Sequence, residues 1–148
     1  MVVLVVPQSD ALTEPDFGAF PREVEFVISA LEAGPCPIAE RQKLRRTPYR
    51  TRSLLKLYSD PPQSPAALLY TRSINRQAVG FLTDRHLTLS HGGVLRMPAP
   101  DGKTMDVACT VLRCREVAPG WYEGAVYFNR QQAMFDAEEL AATRGADN

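Results

Sequence analysis

The chain has little of what catalysis, membrane insertion or disulfide stapling requires. Only two histidines, three cysteines and one tryptophan occur among its 148 residues. No apolar run approaches the roughly 20 residues that span a bilayer. The opening Met1–Val6 is apolar, but it lacks a basic leader and ends at Pro7, too short for a signal-peptide core. A cytoplasmic chain with no membrane insertion is therefore expected. Three cysteines do not make a disulfide framework. Cys109 and Cys114 stand five apart in a strand-like segment, and odd spacing sends them to opposite faces. That argues against a bridge or a shared metal and leaves both as small buried hydrophobes. Cys36, between Pro35 and Pro37, reads as a linker residue. His86 and His91 have no further ligand at a metal-binding spacing and read as strand-end or turn residues. Ser90 beside His91 is no triad, because neighbours on extended chain point apart. Gly92-Gly93 is too short for a phosphate-cradling loop. With no paired carboxylates, nucleophile motif or cofactor fingerprint, neither an enzyme nor a resident cofactor is expected.

One absence is local. Between Arg41 and Ser59 there is no Asp or Glu, yet there are seven cations: Arg41, Lys43, Arg45, Arg46, Arg50, Arg52 and Lys56. They are 7 of 17 positive charges in a chain of net charge zero, so the remainder carries 10 − 17 = −7. Neutrality hides a polarised molecule. An arginine offers a planar, permanent charge that grips a phosphate or a guanine edge, or stacks on a base. Such a cluster leading into a strand points to an anionic, guanine-bearing ligand, against the plainer reading of a solvated basic face. Self-repulsion predicts that Arg41 to Thr51 stays mobile until an anion orders it.

The length is that of a single domain with a real core. Residues 1–20, with Pro7, Asp10, Pro15 and Gly18, read as a loop or arm. Pro21 to Ala33 reads as a helix: Val24, Val27, Ile28 and Leu31 share a face, Pro21 sits in the first turn, and Gly34 can end it. Ile38 to Arg46 is a basic segment with room for a helical turn before Pro48. Six strands then follow, at Ser53–Tyr58, Ala66–Thr71, Val79–Thr83, Val94–Met97, Met105–Arg115 and Trp121–Asn129. The breaks between them are Asp60-Pro61-Pro62, the polar Ser73–Gln77 stretch, Ser90 to Gly93, Pro100-Asp101-Gly102 and Pro119-Gly120. Short strands at this spacing mean an antiparallel barrel or sandwich. Trp121 and Tyr122 are expected to pack in or over it. Arg130 to Thr143 reads as a closing helix capped by Asn129, with Gln132 three residues on. The organisation expected is an arm and helix over 1–40, a barrel domain with its C-terminal helix over 41–143, and a tail over 144–148.

Arg46-Thr47-Pro48-Tyr49-Arg50 is an RxxxR segment immediately before the first barrel strand, with Arg45 as an extra arginine. With the turn Ser73-Ile74-Asn75-Arg76-Gln77-Ala78 and the late strand Trp121–Phe128, it resembles the PilZ domain, the bacterial receptor module for cyclic di-GMP. The likeness covers roughly residues 40–143. It implies a mainly β fold, a small antiparallel six-stranded β-barrel, with an N-terminal helix added and a C-terminal helix beside the barrel. It also implies a clamp, in which arginines close over the ligand's phosphates and guanines while a [D/N]xSxxG turn meets guanine from the barrel side. By that resemblance Arg45, Arg46 and Arg50 form one jaw, and Ser73, Asn75 and Ala78 the other.

The second motif departs from the family: Ser73 replaces Asp or Asn, Asn75 replaces Ser, and Ala78 replaces Gly. Losing a charge-assisted hydrogen bond costs on the order of 1.5–3 kcal/mol. Alanine where positive φ is needed adds roughly 1–2 kcal/mol. Together these weaken binding by about a hundredfold or more. Asn75 keeps a capable polar group, and Arg72 and Arg76 add cations beside the turn. Three readings follow: a non-enzymatic cyclic di-GMP-binding regulatory module; a PilZ-like module that has lost the nucleotide and binds a protein partner, through its N-terminal helix for instance; and, with least support, a nucleic-acid-binding barrel.

Overall fold

The computed structural model describes residues 15–33 and 46–146. In chain order the elements are α1 (Arg22–Ala33), β1 (Thr47–Pro48), β2 (Arg52–Leu57), β3 (Ala67–Ile74), β4 (Ala78–Thr83), β5 (Gly92–Pro98), β6 (Thr104–Ala118) and β7 (Trp121–Phe128). A 3₁₀ turn (Ala133–Phe135) and α2 (Ala137–Ala146) complete it. Strands β2 to β7 close into an antiparallel barrel in the order β3-β2-β5-β6-β7-β4, with β4 pairing back onto β3. The short β1 adds to β3 on the same edge as β2. The mainly β fold with a helix near each end is thus observed, and of the barrel or sandwich that the spacing of apolar runs allowed it is the barrel that the resemblance implied. No helix among the described residues is long and apolar enough to cross a membrane.

Inward-facing residues of all six barrel strands form one core, including Leu55, Leu69, Phe81, Leu95, Val126 and Phe128. Burying each large apolar side chain contributes about 1.5–3 kcal/mol. β2 does not alternate in burial as a half-solvated strand would: all but its first residue are buried. The reason is α1, which lies on the outside of the barrel. Its Val24, Val27 and Ile28, with Phe20, pack against Leu54, Leu68, Tyr70 and Leu82 in a second cluster. Trp121 completes that cover, partly packed there, its Nε1 donating to Glu23 at 2.8 Å. Lys56, outward on β2, is buried because its ammonium is held by the Pro61 and Ser64 carbonyls and the Ser64 hydroxyl.

Several local expectations are corrected. Cys109 and Cys114 both face the barrel core, because a register shift between Val111 and Arg113 reverses the strand's alternation. A bulge inserts one residue, so odd spacing no longer means opposite faces. Both thiols are free, and burial raises that of Cys109 to about 12. The Ser73–Gln77 break shrinks, since β3 runs on to Ile74 and only Asn75, Arg76 and Gln77 lie between it and β4. The closing helix does not start at Arg130. A 3₁₀ turn first inserts Phe135 against Tyr49 and Phe128, and α2 begins at Ala137. Asn129 accepts from the Thr110 hydroxyl rather than capping.

Candidate functional site

The arginine segment is built into the sheet rather than draped over it. Thr47 and Pro48 stand in register with Ile74 and Ser73. Tyr49, between the two motif arginines, is only 2% exposed, and its hydroxyl donates to the Pro98 carbonyl at 2.7 Å. The ladder breaks between β1 and β2, and there the Thr71 hydroxyl substitutes for it, accepting from Thr51 N–H at 2.8 Å and donating to the Tyr49 carbonyl at 2.6 Å. Buried backbone groups need such partners. Against the expected looseness of Arg41 to Thr51, the stretch Thr47–Thr51 is tied to β3 by strand pairing and anchored by the buried Tyr49 and Thr51. Arg41, Lys43, Arg45 and Cys36 lie outside the described residues.

The two motif arginines diverge. Arg46 lies across Gly80: its Nη1 is 3.2 Å from where a Gly80 side chain would start, and Ser73 Oγ is 3.6 Å from the same point. Arg50 turns the other way. It donates to Glu25 of α1 at 2.7 Å and stacks 5.2 Å above the Phe20 ring. Arg46 and Ser73 are thus brought together, whereas Arg50 is committed to the helix.

The remaining turn residues serve the hairpin. Asn75 is 6% exposed, and its side-chain oxygen accepts from Gln77 N–H at 2.7 Å and Ala78 N–H at 2.9 Å. That Asx turn occupies the oxygen a guanine would use. Ala78 is the first residue of β4, and Ser90 is the one non-glycine with positive φ among the described residues. No backbone strain exists at position 78 for a glycine to relieve, a correction to the cost assigned to it above. The neighbouring cations are engaged as well. Arg76 chelates Asp136, its Nε donating at 2.9 Å, and so ties the hairpin tip to the C-terminal segment. The same hydrogen bond holds the Asp136 carboxyl below its usual value of 3.8.

Register places two outer rows side by side. One runs Ser73, Gly80, Ala125, Arg113 across β3, β4, β7 and β6; the next runs Tyr70, Leu82, Glu123, Arg115. The first row is small at its centre, so a planar group can approach the backbone at Gly80. On the second row the Glu123 side chain, 3% exposed, meets three arginines: Arg72 Nη1 at 3.7 Å, Arg115 Nε at 3.1 Å, and Arg113 through a short hydrogen bond. Sequence reasoning missed Glu123, Arg113 and Arg115. Their alternation on β6 and β7 was legible, but the side of the barrel they share with Ser73 was not. His86 is edge-on to Tyr122 and His91 bonds to the Ser59 hydroxyl at 2.7 Å; no metal-binding cluster occurs among the described residues.

Scans against protein-family models, curated proteins and solved structures each find no match to this chain.

Proposed function

We propose that this protein is a PilZ-type, non-catalytic receptor module for cyclic di-GMP that acts in the cytoplasm on a protein partner. One observation carries this reading: the Arg46 guanidinium lies beside Ser73 on the side-chain-free patch at Gly80, on the outer wall of a closed six-stranded barrel. Arginine there can present its fork to guanine O6 and N7 or to a phosphate. The Ser73 hydroxyl supplies a second, shorter hydrogen-bonding group, and the absence of a side chain at position 80 lets the Arg46 guanidinium lie against the wall, where a flat base can stack on it. Arg50 joins only after exchanging Glu25 for the ligand, so binding is coupled to α1.

Calorimetric titration with cyclic di-GMP, with GTP and a short RNA as controls, tests the reading. Saturable binding specific to cyclic di-GMP is expected, reduced roughly tenfold or more in Arg46→Ala, the loss of one charged hydrogen bond. Affinity for any polyanion with a steep salt slope would instead mark a nucleic-acid-binding barrel. A second reading, a protein-interaction module without nucleotide, is favoured by the engagement of Arg50 with Glu25 and of Asn75 with its own turn. Complete silence toward all three ligands would select it.

A further inference from the structure

Three permanent cations share one nearly buried carboxylate. Arg72, Arg113 and Arg115 all reach Glu123, which leaves an excess of two positive charges at one point on the barrel wall. One or two guanidiniums would satisfy a carboxylate, whereas a third adds repulsion among like charges that burial strengthens. The Nε–H of Arg72 is buried with no hydrogen-bond partner among the described residues, an expensive state for a donor. Two of the three arginines also stand at irregularities of the sheet: Arg72 between Thr71 and Ser73 on β3, and Arg113 beside the shift after Val111 on β6. Bulges re-aim side chains, and here both turn an arginine toward the same residue. This concentration of donors exceeds what an internal ion pair needs, and it matches what an oxyanion with several lone pairs accepts.

We propose that Arg72, Arg113 and Arg115 form an oxyanion-binding shelf, with Glu123 as its built-in counterion and positioning residue. The shelf borders the row Ser73, Gly80, Ala125, Arg113, so it belongs to the face proposed above for cyclic di-GMP and rests on that reading for its ligand. Two strand spacings, about 10 Å, separate Gly80 from Arg113. A ligand with its guanine at Arg46 and Ser73 can thus set a phosphate on the shelf. Glu123 aligns the three guanidiniums and competes with the phosphate for them, which keeps affinity for stray anions low.

The probe is inorganic pyrophosphate, titrated calorimetrically into the full chain at low salt. Wild type should show one saturable site. Arg115→Ala, at a side chain 66% exposed and so tolerant of replacement, should weaken it about tenfold. Arg96→Ala, whose guanidinium pairs with Asp106 between β5 and β6, should leave it unchanged. Glu123→Gln keeps the shape but removes the competitor. It should bind pyrophosphate about tenfold more tightly and gain more in melting temperature from it than wild type does. Should Glu123→Gln not fold, Arg115→Ala still decides. Absence of saturable binding to wild type, or equal binding to wild type and Arg115→Ala, would overturn the shelf. Parallel titration with cyclic di-GMP separates the two ideas: pyrophosphate binding without cyclic di-GMP binding upholds the shelf and overturns the nucleotide reading.

Discussion

Arg50 donates to Glu25 at 2.7 Å across 25 residues of sequence, joining the arginine motif to the first turn of the N-terminal helix. Both side chains are well exposed, at 40% and 46%. Exposed pairs of this kind contribute only about 0–1 kcal/mol, so the link is easily exchanged for a ligand. Its importance lies in competition, since the same guanidinium cannot serve Glu25 and a phosphate fully at once.

Glu25→Gln should therefore release Arg50. Cyclic di-GMP affinity should rise a few-fold, up to about fivefold for 1 kcal/mol, while the melting temperature moves little. Calorimetry on wild type, Glu25→Gln and the double variant with Arg50→Ala gives the measurement. The gain should vanish in the double variant; if it persists, Glu25 does not act through Arg50.

Ser73→Asp should be the single change that restores barrel-side recognition. Asn75 holds the hairpin through two backbone donors and Ala78 carries no strain, so converting them to Ser and Gly offers nothing and removes the Asx turn. The carboxylate introduced at position 73 would stand among arginines and remain ionised, raising affinity by about one order of magnitude. Adding Asn75→Ser should lower stability by about 1 kcal/mol, measurable by urea unfolding. Weaker binding by Ser73→Asp would mean that Arg46 closes onto the new carboxylate.

Gly124 is fixed by packing inside the barrel. A Cβ there would overlap the Arg113 carbonyl and lie 2.8 Å from Phe81 Cζ. Backbone cannot give way as a flexible side chain can, and overpacking costs typically about 1–3 kcal/mol. Gly124→Ala should lower the urea midpoint by the corresponding amount or fail to fold. Gly120→Ala, at a turn with φ +78° and open space around it, should cost only the roughly 1–2 kcal/mol of left-handed backbone.

Acid should loosen both ends of the described chain. Hydrogen bonds from Arg52 and Arg76 hold the Asp16 and Asp136 carboxyls below 3.8. A depressed folded-state pKa means that the stabilisation is fully present well above pH 3.8. It fades as pH falls through 3.8 and is gone below the folded values. Urea unfolding between pH 6 and 2.5 should show this decline. It should be shallower in Arg76→Ala, which loses the tether between the β3–β4 hairpin and the C-terminal segment. An identical pH profile in that variant would show that the Asp136 pair is not coupled to folding.

Much of the fold was legible because it depends on local alternation. Short apolar runs bounded by Asp60-Pro61-Pro62, Pro100-Asp101-Gly102 and Pro119-Gly120 announce strands and turns whatever they pair with, and each run became a barrel strand within a few residues. The helix at Arg22–Ala33 was equally plain, since Val24, Val27 and Ile28 fall on one face at helical spacing and do form its buried side. The basic run and its arginine spacing likewise required no coordinates.

What tertiary structure alone decided is direction and company. A bulge in β6 turned Cys114 to the same inward side as Cys109, because one inserted residue reverses every face beyond it. The packing of α1 on the barrel gave Arg50 a carboxylate, and Tyr49 in the core fixed the segment that charge repulsion alone would have loosened. Asn75 was spent on a turn, because buried N–H groups nearby needed an acceptor. The pairing of β1 with β3 set Arg46 next to Ser73, and two hairpins distant in sequence, β3–β4 and β6–β7, were brought side by side, setting three arginines on Glu123. Periodicity along one strand specifies which residues share its outer face, but which strands stand next to it is specified only when the sheet closes.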